Sequence, residues 1–150
     1  MISNILLAVD VFHDTNKVFN YAIDLSNKYQ SKLTILSVNE ELVNKDEMIM
    51  SRVKIDKVMK SNEEIALNTK EKINSILLEL NVMNSDKIKI VLREGSAAQE
   101  IVAYAEESNT DFIILGSTNQ SKITELLLGS TSKTVIKKSK IPVLVVPLVD

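Results

Sequence analysis

Three glycines in 150 residues stand at positions 95, 116 and 129, and the last opens the tripeptide Gly129-Ser130-Thr131. Set at the start of a helix, this tripeptide offers unpaired backbone N–H groups, two hydroxyls and the positive end of a helix dipole, which together suit phosphate. Glycine adds close approach, because no Cβ stands between the amide and a ligand. Asp10 ends the apolar run Ile2–Val9, where its carboxylate either holds the first turn or meets a ligand. Val38 ends a second apolar run, and Leu115 with Gly116 ends a later one.

Other chemistry finds no residues to perform it. There is no Cys and one His, His13, so disulfides, thiolate zinc sites, thiol catalysis and paired-imidazole mechanisms are excluded. His13 beside Asp14 reads as a solvated residue, not a metal corner. Only Arg52 and Arg93 are arginines among 18 basic residues, so a phosphate site here leans on backbone amides, hydroxyls or a lysine such as Lys122. A Walker loop, a Gly-x-Ser-x-Gly elbow and His-Glu-x-x-His are all missing from the chain. The pattern is that of a binder and not an enzyme, with any turnover slow and incidental to binding.

A formal net charge of −2 argues against a nucleic-acid partner. The start of the chain lacks a signal-peptide pattern. Its longest apolar run, Ile141–Val149, falls far short of the ~20 residues that span a bilayer. A cytoplasmic protein with no membrane partner is expected, and 150 residues suit one domain over 1–150.

The elements that must position these residues alternate. Strands are expected at Ile2–Val9, Leu33–Val38, Ile88–Leu92, Phe112–Leu115 and Val143–Val146, the third more exposed than the first two. Between them fall four helices. The first is capped by Asp14 or Thr15 and carries Val18, Tyr21, Ala22, Leu25 and Tyr29 on one face. The second starts at a Ser61/Glu64 capping box, with a stripe of Ile65, Thr69, Ile73, Ile76 and Leu80. A Ser96/Gln99 box opens the third, whose Glu106-Glu107 form a solvated face, and the fourth runs from about Gly129 to Lys138. Residues 39–60, with Met48, Met50 and Met59 as loose packing, read as partial helix, a flap or an excursion. This order predicts an α/β fold: a doubly wound, five-stranded parallel sheet with helices on both faces. Ligands of such sheets sit beyond the carboxyl ends of the strands where strand order reverses, and all three glycines fall on that rim.

The motifs together resemble the universal stress protein family. The resemblance rests on Gly116-Ser117-Thr118-Asn119, nine residues, then Gly129-Ser130, followed by Val135-Ile136-Lys137-Lys138 and Pro142–Pro147. It extends to Ile5–Asp10, Leu36-Ser37-Val38, Gly95–Ile101 and Asp111–Ser117. It implies a Rossmann-like domain binding ATP or AMP, with or without Mg, as a regulatory module in stress response. Asp10 and Val38 would contact adenine or ribose, Leu115 and Gly116 the middle of the nucleotide, and Asn119, Gly129, Ser130 and Thr131 the phosphates. The chain departs from the family pattern twice. Asn119 stands where the family's nucleotide binders have a second glycine, and Val11-Phe12 follow Asp10 in place of small residues, so that Phe12 either shades the pocket or fills it. The alternative is a universal stress protein that binds no nucleotide and acts only through protein contacts. By resemblance, and because a terminal apolar strand leaves an open sheet edge, Val143, Leu144, Val145 and Val146 are expected to pair two copies into a homodimer.

Overall fold

The computed structural model describes residues 1–12, 16–40, 52–82, 85–117 and 128–148, with 52–60 as helix backbone. The elements follow one another as β1 (Asn4–Ala8), α1 (Asn16–Tyr29), β2 (Lys32–Asn39), α2 (Arg52–Glu79), β3 (Ile88–Glu94), α3 (Ala97–Glu107), β4 (Phe112–Gly116), α4 (Ser130–Lys138) and β5 (Val143–Val146). The sheet is all-parallel in the order β3-β2-β1-β4-β5. The chain therefore leaves β1 to one side and returns to the other, placing the reversal between β1 and β4. This is the doubly wound α/β architecture expected.

The central strand is apolar at every inner position because both its faces are covered. Ile5 and Leu7 face α1 and α2, joining Val18, Phe19, Ile73 and Leu77 in one buried cluster. Leu6 and Ala8 point the other way, toward Ile101, Tyr104 and Val135 of α3 and α4. Edge strand β3 has no fully buried residue, as expected.

Three helix readings change. On α1 the buried stripe is Val18, Phe19, Ala22, Ile23 and Ser26, while Tyr21 and Tyr29 are exposed. Counting the amphipathic tyrosines as core displaced the stripe by part of a turn. Ser61 starts nothing: α2 runs through it from Arg52, its good helix formers continuing where a cap was expected. Thr69, Ile73 and Ile76 are buried on it as expected. Ser96 does occupy the N-cap of α3, but its side chain makes no capping bond. Instead the Ala97 N–H donates to Oε1 of Glu40, 57 residues earlier in the chain, at 2.9 Å. His13, Asp14, Thr15, the methionines at 48 and 50, Asn119 and Lys122 lie outside the described residues.

Candidate functional site

Because every strand is parallel, the carboxyl ends of β1, β2, β3 and β4 open on one edge of the sheet. A cavity of about 980 Å³ lies there. Its floor is Ala8 at the end of β1 with Val9 just beyond it, Leu36 and Val38 from β2, and Leu115 and Gly116 from β4. Its walls come from α2 on one side and from α3 and the start of α4 on the other.

Asp10, Val38, Leu115, Gly116, Gly129, Ser130 and Thr131 all line this cavity. The fold thus brings together residues up to 121 positions apart, counting from Asp10 to Thr131. Gly95 does not line it, although Arg93, Glu94 and Ala97 around it do. Its glycine answers a backbone need: φ is +134°, and its N–H donates to the Asn39 carbonyl at 3.0 Å.

Hydrogen bonds tie the α4 end of the cavity to the ends of β4 and β5. The Ser132 hydroxyl donates to the Gly116 carbonyl at 3.3 Å, tying the first turn of α4 to the end of β4. The Ser117 N–H donates to the Val146 carbonyl, and its hydroxyl accepts the Leu148 N–H, both at 2.9 Å. Ser117 and Ser132 are buried. Gly129 is the N-cap of α4 with φ −68° and ψ 168°, and as a glycine it brings no side chain to that terminus. The backbone of Gly129 is open to any residue type, so its missing side chain matters for space and not for conformation. The terminus presents amide donors and the hydroxyls of Ser130 and Thr131 to the cavity.

At the Asp10 end, the Phe12 N–H donates to Asp10 Oδ1 at 3.3 Å, closing a local side-chain turn. Val11 is buried in the core, and Phe12 stands at the cavity mouth with 64% of its surface exposed. It shades the pocket and does not fill it.

The lining also contains polar residues that were not expected at the site from the sequence: Ser37, Asn39, Glu40, Thr69, Arg93 and Glu94. A period-two reading beyond Val38 finds Glu40, and extending β3 by two residues finds Arg93 and Glu94. Arg93 is engaged. It pairs with Glu107 at 2.8 Å and Glu100 at 3.4 Å, and its guanidinium lies 4.9 Å from the centre of the Tyr104 ring. The Glu107 hydrogen bond holds Arg93 above its ordinary pKa, and Arg93 in turn holds Glu107 below the usual carboxylate value. Among the described residues, no group of three His, Asp or Glu side chains is placed to hold a metal, and no helix is long and apolar enough to cross a membrane.

The model of the Universal stress protein family matches residues 1–147. Universal stress protein YxiE of Bacillus subtilis is 29% identical over 155 residues, covering 97% of this chain and 99% of that protein. Universal stress protein MJ0577 of Methanocaldococcus jannaschii is 43% identical over 77 residues, which cover 51% of this chain and 47% of that protein. The solved structure of MJ0577 matches with a TM-score of 0.70 at 30% identity, over 98% of this chain and 96% of that one. A universal stress protein solved in complex with cAMP shares the fold at 18% identity, with a TM-score of 0.62 and 98% of each chain covered.

Proposed function

The chain belongs to the universal stress protein family, and from that membership we propose that it is an adenine-nucleotide-binding regulatory module of the stress response. The observation that carries this reading is the meeting of Asp10, Val38, Leu115, Gly116 and Gly129–Thr131 around one cavity at the sheet's reversal point. Its volume, about 980 Å³, lies within the ~300–1,000 Å³ of small-molecule sites. The ligand is ATP or AMP, with or without Mg²⁺. Val38 and Asp10 take the adenine or ribose, Leu115 and Gly116 the middle of the molecule, and Gly129, Ser130 and Thr131 the phosphates. Asn119, which lies outside the described residues, is assigned to the phosphates by the family resemblance alone. That a protein of this fold is solved with cAMP agrees with the adenine class.

A mouth shaded by Phe12 over an open cavity favours binding over a nucleotide-free interaction module. The protein acts by binding and not by turnover, as a single domain working in the cytoplasm, without nucleic-acid or membrane partners. A two-fold homodimer forms through β5.

Thermal denaturation and calorimetry with Mg-ATP, AMP and UMP test the reading. A ligand at 100 times its Kd stabilises the fold by about 2.7 kcal/mol, so either adenine nucleotide raises Tm and UMP does not. No shift with millimolar ATP or AMP rejects nucleotide binding.

A further inference from the structure

We infer that Glu40 makes the base end of the cavity selective for charge, admitting an uncharged ring that carries hydrogen-bond donors and rejecting an anionic one. The inference rests on the nucleotide reading above and goes past it to the chemistry of the base.

The cavity is electrically lopsided. Two helices of the same sheet face, α3 and α4, aim their positive N-termini toward the rim. The N-cap residue of α4 is Gly129, which has no side chain to place over that terminus. The N-terminus of α3 is taken by Glu40, whose Oε1 accepts the Ala97 N–H at 2.9 Å. An anion therefore finds donors at α4 and a carboxylate already in place at α3. Nearby charges deepen the contrast. Arg93, opposite Val38 in the β2–β3 register, is bound to Glu100 and Glu107, and Glu94 sits opposite Asn39.

Strand geometry brings Glu40 to the base. Positions 38 and 40 project to the same side of an extended chain, and two residues span about 6.6 Å. Both line the cavity. From β2 to β4 is two strand spacings, about 10 Å, so a phosphate at α4 leaves the far end of a mononucleotide beside Val38 and within reach of the Glu40 charge.

Three nucleotides separate charge from hydrogen bonding. AMP has an exocyclic amine and a neutral ring, IMP a neutral ring without the amine, and XMP a xanthine ring that is ionised at slightly alkaline pH. Calorimetry at that pH and low salt is expected to show the native chain binding XMP at least about fivefold more weakly than IMP, as like-charge juxtaposition requires. Glu40→Gln keeps an oxygen to accept the Ala97 N–H but removes the charge, and closes the gap to within about twofold. Glu94→Gln, a neighbouring carboxylate without the α3 contact, leaves most of the gap. If the native chain shows no gap, or if Glu40→Gln leaves it intact while AMP still binds, the role of Glu40 is wrong and the nucleotide site stands. If the native chain binds none of the three, the nucleotide reading falls and the Glu40 inference with it.

Discussion

At the scale of single residues, the glycines do different work. Gly95 has φ +134°, and a Cβ added there would lie 3.3 Å from Cγ and Oε1 of Glu100. Gly95→Ala is expected to lower stability by about 1–3 kcal/mol, the cost of a side chain in that region of backbone space. Chemical denaturation checks it, and a cost below a few tenths would show that the backbone relaxes. Gly129 is different: its extended φ and ψ accept any residue. Gly129→Val is expected to leave the domain folded, at a cost of about 1 kcal/mol for a poorer N-cap, while weakening ATP or AMP binding at least tenfold, read by calorimetry. Unaltered affinity would remove Gly129 from the phosphate site. Motif spacing marked Gly116 and Gly129 without distinguishing them from Gly95, because the sign of φ is set by the turn that each residue closes.

At the scale of elements, alternation of apolar runs and helical stripes was enough to place the nine strands and helices of the described residues. The errors fell where a local signal was outweighed by something distant. Ser61 has the form of a cap, yet α2 passes through it. Ser96 is a cap by position, but Glu40 from the end of β2 supplies the bond. The start of β1 has its own distant anchor in Asp111, whose carboxylate accepts the Ser3 and Asn4 N–H groups at 2.7 and 2.9 Å. These backbone donors, Asn4 foremost, hold the Asp111 pKa below its ordinary 3.8. The stabilisation is present above that ordinary value and is lost as pH falls through the lower, folded one. Asp111→Asn is therefore expected to be less stable than the native chain at neutral pH, with the difference shrinking as pH drops below the carboxylate range. Denaturation midpoints at several pH values test this, and a difference independent of pH would assign the loss to geometry and not to charge.

At the scale of the whole molecule, the sheet ends in two unlike edges. β3 carries Lys89 and Arg93, charged side chains that discourage pairing. β5 is Val-Leu-Val-Val, bracketed by Pro142 and Pro147, with Leu144 39% exposed and Ile136 of the adjacent α4 44% exposed. That contrast makes β5 the edge at which the proposed pairing of two copies is to be tested. Leu144→Lys puts a charge on a side chain already open in the single chain, so if β5 is the seam the native chain runs as a dimer by light scattering and the variant as a folded monomer. A variant of native mass would place the interface elsewhere. Short-range patterns carried the fold class, the family resemblance and the position of the glycine–hydroxyl segment, because periodicity, capping residues and motif spacing are written in neighbouring side chains. Strand order, the carboxylate that closes α3 and the pairing that occupies Arg93 join residues far apart in the chain. Those depend on which surfaces meet when apolar faces are buried together, and no window along the sequence contains both partners.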